Sequence, residues 1–306
     1  MTSDKFVKYS SIENHYQEGF LERCPEGEIF WCVTEKIHGS NFQVYYDGEN
    51  FLIGSRNRFL NLTDNFYGLQ ALVEEIKPNL IACYNDLVIK KPLTFYGEVY
   101  GDGIQKGVKY CKEHKIRFFD LKYDGEYVPY GVAINAFEYY QIPYIRPIKY
   151  INAKATNVID LVDTRFNSTF AEDEYAELED NICEGVVIKP FYQELKTIKG
   201  NRVIIKKKNE EFREKAHVSK NVIKADRWVD YKKDLEALTP YINENRFDSV
   251  FSKEPYQREN FGDFIKAYAK DVIEDAEKDF IEVKNIKNLN NIIAKTFKGE
   301  YFKRVA

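Results

Sequence analysis

The alternation of apolar and polar positions divides the chain into two textures. Before about residue 225, short apolar or alternating runs are punctuated by Gly, Asn and Asp, a pattern that predicts strands. Residues 29–33 form one such run. Residues 41–46 alternate until Asp47-Gly48-Glu49-Asn50 turns the chain back into 51–55, which predicts a hairpin. Further strands are expected over 93–101, 116–121, 183–190 and 201–209. A helix is expected within 64–90, where Leu69, Leu72, Val73, Ile76 and Leu80 recur at helical spacing and Pro78 interrupts. Residues 139–157 read as loop or edge structure, and 163–180 as an acidic, partly mobile stretch with no site. Beyond 225 the period lengthens. Phe261, Phe264, Ile265, Tyr268, Val272, Ala276 and Phe280 mark a long amphipathic helix, and 291–297 a shorter one. The expected class is therefore α+β. An antiparallel-sheet domain covers 1–224, and a small all-helical domain covers 225–306.

Length and composition narrow the possible functions. The 306 residues, 44% hydrophobic, suit one large or two medium domains. A net charge of -4 excludes a polycation, so a nucleic-acid partner needs a local basic patch. The densest candidate is 196–220, with nine Lys/Arg against three Glu. The five cysteines form no C-x-x-C pair, which argues against zinc and for a reducing compartment. There is neither the run of about 18 apolar residues that a membrane helix needs nor a leader-like N-terminus. A cytoplasmic protein with no membrane partner is expected. The absence of G-x-x-x-x-G-K-[ST] excludes a P-loop mode of ATP binding.

The candidate chemistry begins at Thr34-Glu35-Lys36-Ile37-His38-Gly39-Ser40-Asn41-Phe42. An extended backbone puts Lys36 and His38 on one face, and Gly39 lets the chain turn tightly or a ligand come close to the backbone. Two cationic or hydrogen-bonding groups at a strand end, followed by the short amide of Asn41, suit a phosphate. The hairpin returns Arg56 toward Lys36, and arginine forks well onto phosphate. Glu98 lies in an apolar run, where an unpaired carboxylate is costly. Glu184-Gly185 opens another apolar strand. In 201–209, Lys206 and Lys208 share a strand face that Lys207 does not.

Taken in order, these segments resemble the motifs of the RNA ligase 2 family, the phage-type ATP-dependent RNA ligases. Lys36-Ile37-His38-Gly39-Ser40-Asn41-Phe42 is similar to motif I, with Ser40 where Thr is frequent. Glu98 falls at motif III, Glu184-Gly185-Val186-Val187-Ile188-Lys189 at motif IV, and 201–209 at motif V. The resemblance implies a nucleotidyltransferase (adenylation) domain in which Lys36 is the nucleophile that carries AMP from ATP. It places Glu35, Ile37, His38, Asn41, Arg56, Glu98, Phe119, Glu184, Lys206 and Lys208 around the nucleotide, with Phe119 stacked on the adenine. It implies that Glu184, Lys206 and Lys208 act with Lys36 in catalysis, and that Glu98 and Glu184 hold Mg²⁺ or Mn²⁺. A monomeric enzyme is implied. It would join RNA 3'-hydroxyl and 5'-phosphate ends, at nicks in duplex RNA or at bridged ends. DNA ligases and GTP-dependent capping enzymes predict a C-terminal OB-fold, and the helical texture after 225 gives no support for one. An inactive nucleic-acid-binding relative predicts loss of Lys36, Glu184 or a motif V lysine, and all are present.

Overall fold

In the computed structural model, which describes residues 5–16, 19–213, 237–279, 281 and 286–306, strands build two sheets of five. Both lie in the first of two compact units, Met1–Glu211, and the second is Phe212–Ala306. The boundary expected at 224/225 lies outside the described residues.

The first sheet has the order β1 (Glu13–Asn14), β10 (Ile205–Lys208), β9 (Gly185–Pro190), β2 (Glu28–Glu35), β8 (Pro147–Lys154). The second has the order β4 (Phe51–Ser55), β3 (Ser40–Tyr46), β5 (Leu93–Tyr100), β6 (Lys115–Tyr123), β7 (Glu126–Tyr127). Strand β2 serves both faces of its sheet by alternation. Cys32 joins the core shared with the second sheet and the helices α1 (Leu69–Asn85) and α2 (Tyr130–Tyr139). Trp31 and Val33 join a separate core with Ile151, Val186, Ile188 and Ile205.

Between these strands pairing is antiparallel except at one edge, where β1 runs parallel to β10. The expectation of an antiparallel sheet overlooked this strand. The chain before β1 first crosses the second sheet, with Phe6 edge-on to Phe59 at 5.1 Å and Tyr9 against Tyr96 at 5.0 Å.

Helix α1 does not break at Pro78 but continues to Asn85. A helical proline removes one backbone bond, and the burial of Leu69, Val73, Leu80 and Cys83 outweighs that loss. The hairpin turns as expected, and Asp47 Oδ1 accepts from the backbone N–H groups of Glu49 and Asn50.

The second unit is helical where described. Its helices are Glu244–Phe251, Phe261–Lys278 and Ile286–Arg304. Phe280 lies outside the described residues. The last helix is longer than the expected 291–297, because Leu289, Ile293, Phe297 and Tyr301 bury one continuous stripe. The Arg246 guanidinium is fully buried and ion-paired to Asp271 at 2.5 Å and Asp275 at 2.8 Å. Among the described residues, no helix is long and apolar enough to cross a membrane.

Candidate active site

Strand β2 ends at Glu35, and β3 begins in the other sheet at Ser40. The four residues between them, Lys36 to Gly39, carry the chain from one sheet to the other. Their path is tight. A Cβ on Gly39 would fall 2.3 Å from the Val99 carbonyl oxygen and 2.9 Å from Glu98 Cγ, so only glycine lets the loop lie on β5 beside Glu98. The backbone N–H of Lys36 donates to the Gly185 carbonyl at 2.9 Å, and that of His38 donates to the Tyr110 hydroxyl at 2.7 Å.

Glu184 is the hub. Its side chain is 1% exposed, and Lys36 Nζ lies 2.7 Å from Oε2. Lys208 Nζ lies 2.7 Å from Oε1, and His38 Nδ1 lies 3.4 Å from Oε2. Burial opposes charge on this carboxyl. The cations Lys208 and Lys36, with His38, outweigh burial and hold it well below the usual carboxylate range. Gly185 makes the arrangement possible. Its φ is +148°, and a Cβ there would sit 2.1 Å from the Lys207 carbonyl oxygen. Only glycine brings β9 this close to β10, and this closeness sets Glu184 against Lys208.

The second carboxylate behaves in the opposite way. Glu98 pairs across β3 with Asn41 and is half-buried. Burial pushes its carboxyl up to about 8 and Glu184 adds to the shift, while Lys36 and Arg56 pull against it. Lys36, Asn41, Arg56, Glu98, Glu184 and Lys208 are therefore gathered on one side of the junction between the sheets. Lys206 shares the strand face of Lys208 and pairs in register with Val187 of β9 and Asn14 of β1.

Lys207 points to the opposite face. Its amine donates to the carbonyls of Ile159 at 3.0 Å and Val162 at 2.7 Å. Phe119 is half-buried and packs with Val187 against Tyr9, Tyr96 and Ile204, edge-on to Tyr9 at 5.1 Å. Ile37 is buried. The Glu35 side chain turns away from Lys36. It is fully buried and accepts from Ser168 Oγ at 2.5 Å, and from the Thr169 N–H and hydroxyl, both at 2.7 Å. The structure therefore places the Glu35 carboxylate apart from the groups around Glu184.

Sequence reasoning missed three features. The stretch 163–180, in which no site was expected, supplies Ser168 and Thr169 to the Glu35 carboxylate. Tyr110 holds the loop at His38. The third feature is a buried network beneath Phe119. Asp120 is fully buried and accepts from Tyr9 at 2.5 Å and Arg202 at 2.8 Å, with Lys189 Nζ at 3.2 Å. Lys189 also donates to the Phe119 carbonyl at 2.6 Å. Only the polarity of Asp120, Lys189 and Arg202 within apolar runs could have signalled it.

The paired sheets with a lysine–glutamate–lysine cluster at their junction define a nucleotidyltransferase-type fold. Solved structures agree. A Naegleria gruberi RNA ligase with PPi superposes with a TM-score of 0.51 at 16% identity, covering 68% of this chain and 57% of that one. A mutant of the same ligase, solved with ATP and Mn, gives 0.52 at 16% identity over 68% and 56%. A mitochondrial RNA-editing ligase 2 of Trypanosoma brucei brucei is 27% identical over 105 residues, 31% of this chain and 25% of that protein. The chain thus spans about a quarter of the curated relative and little more than half of the solved ones. The RNA ligase family profile matches residues 29–208, more than half of the chain, and the chain belongs to that family.

Proposed function

We propose that this protein joins RNA 3'-hydroxyl and 5'-phosphate ends at nicks in duplex RNA, using ATP. The observation that carries the reading is Glu184 held between Lys36 and Lys208. In the first step the Lys36 amine attacks the α-phosphorus of ATP. The N–P bond forms, the P–O bond to the β-phosphate breaks, pyrophosphate leaves, and the amine proton passes to solvent. Because Lys208 holds the other oxygen of Glu184, the carboxylate stays paired when Lys36 turns to phosphorus. Lys206 and Lys208 offset charge on the transferring group and on the pyrophosphate. In the second step AMP moves from Lys36 to the RNA 5'-phosphate. In the third a 3'-hydroxyl attacks that phosphate and AMP departs.

Among the described residues, no group of three His, Cys, Asp or Glu converges on a metal position. The donor set still fits a hard divalent cation of the Mg²⁺ or Mn²⁺ kind, which takes one or two carboxylates and completes its shell with water and nucleotide phosphates. Glu98 and Glu184 would hold it. When bound, the ion would supply further charge neutralisation at the phosphates. Phe119, half-buried between the sheets, would stack on the adenine, and Arg56 and Asn41 would contact the nucleotide.

The test is incubation with ATP or GTP labelled at the α-phosphate, a divalent ion and the protein, followed by a denaturing gel. ATP labels the wild type, GTP does so far less, and Lys36→Ala takes no label. Persistent labelling of Lys36→Ala would reject the nucleophile.

A further inference from the structure

Each charged member of the Lys36–Glu184–Lys208 cluster has a chain neighbour fastened to one short segment, residues 164–169. Glu35 precedes Lys36, and its carboxylate accepts from Ser168 and Thr169. Cys183 precedes Glu184, and its N–H donates to the Phe166 carbonyl at 3.0 Å. Asn209 follows Lys208. Its amide donates to the Thr164 carbonyl at 2.8 Å, and its Oδ1 accepts from the Thr164 hydroxyl at 2.8 Å.

Strand alternation gives these contacts their meaning. Lys36 and Glu35 leave β2 on opposite faces. The face of Glu35 is that of Trp31 and Val33, whose core Phe166 also packs against. The carboxylate is thus a tether behind the strand end, while Lys36 projects forward to Glu184. A buried carboxylate facing three donors has a narrow choice of positions, because leaving any donor unpaired is costly. Burial raises the Glu35 carboxyl and the three donors lower it, with a net rise.

We infer that Ser168 and Thr169 are positioning residues for the nucleophile, acting through Glu35, and that segment 164–169 is the strut that fixes the distances within the cluster. The inference rests on the proposed lysyl-AMP chemistry. It removes the Glu35 carboxylate from the nucleotide contacts and gives it a mechanical task.

A strut of this kind affects the steps in which Lys36 forms or breaks a bond and spares the step in which it does not. The experiment compares wild type with Ser168→Ala/Thr169→Val in the full-length protein. Single-turnover lysyl-AMP formation at saturating ATP should fall about tenfold or more, while sealing of a pre-adenylylated RNA nick falls by less than about threefold. Thr169→Ser with Ser168 intact should restore lysyl-AMP formation, since the donors return. If the double variant does not fold, Glu35→Gln and Ser168→Ala alone are judged by the same pair of rates. Equal losses in the two steps mean general loosening, and no loss in either means no tether; each overturns the inference. Failure of the wild type to take label from ATP overturns the underlying chemistry, and the inference with it. A labelled wild type beside an equally labelled variant overturns the inference alone.

Discussion

Lys206, Lys207 and Lys208 are one residue type on one short strand, and their side chains have different tasks. Lys208 completes Glu184, so Lys208→Ala leaves a buried carboxylate with less positive charge around it. It should cut lysyl-AMP formation by about 10²-fold or more. The Lys207 amine closes two carbonyls that end a turn of chain on the other face. Lys207→Ala should lower stability by about 1–2 kcal/mol in denaturant unfolding and leave the labelling rate of the folded protein unchanged. Equal losses of labelling at both positions would make the run a generic basic patch. Alternation made this division legible in the sequence, but the partners of Lys207 were not, since Ile159 and Val162 contribute only backbone atoms. Glu98 offers a second test at this scale. Its folded pKa of about 8 lies above the ordinary 4.5. The folded form therefore holds the proton more tightly than the unfolded one. This contribution to stability is complete below about pH 4 and is lost as pH rises toward about 8. Glu98→Gln should flatten that part of the decline in melting temperature between about pH 5 and 8 and should abolish labelling. Parallel declines in the two proteins would show that Glu98 is not the group responsible.

At the scale of elements, the site depends on how closely strands approach. Gly39 and Gly185 are two points beside the candidate site where only glycine permits the approach. Gly185→Ala meets both a φ of +148° and a carbonyl oxygen 2.1 Å from the new Cβ. Relief requires β9 and β10 to separate, which draws Glu184 from Lys208. The change should cost at least about 2 kcal/mol of stability and lower lysyl-AMP formation in the fraction that remains folded. An Ala variant with wild-type unfolding and labelling would mean that the strands can part without consequence. The strands and their glycines were readable because period and turn chemistry are local signals. The strut at 164–169 was not, because its contacts are polar, lie far apart in sequence and follow no period. The same limit explains β1, whose two residues pair with a strand far along the chain and carry no period of their own. Helix Ile286–Arg304 was underestimated because polar residues separate its buried positions.

For the whole molecule, the division into Met1–Glu211 and Phe212–Ala306 separates two kinds of interior. The first unit holds every described member of the candidate site. The second is a helical packing of aromatic rings around Phe247, Phe264, Tyr268 and Tyr301, with a buried arginine held by two aspartates. The two textures were legible from the change in hydrophobic period, and the helical character of the second unit agrees with that reading. Arg246 was not singled out, because a lone arginine in a helical sequence looks like a solvated one. Under the proposed ligation, the second unit would serve the RNA by holding the duplex or its 5'-phosphate end. Contacts to phosphates release counterions and weaken steeply with salt. A chain ending near residue 225 should therefore still form or use the lysyl-AMP adduct to some extent. It should seal 5'-phosphate nicks poorly, with a defect that deepens as salt rises. Arg246→Ala in the full chain should have a similar effect, since it empties a fully buried position and takes a cation from Asp271 and Asp275, which weakens the packing of this unit. The measurement is the rate of sealing of 5'-phosphate and pre-adenylylated RNA nicks across a salt series, for the intact, truncated and Arg246→Ala proteins. Truncated protein that seals 5'-phosphate nicks as well as the intact chain at every salt concentration would remove the second unit from RNA handling altogether.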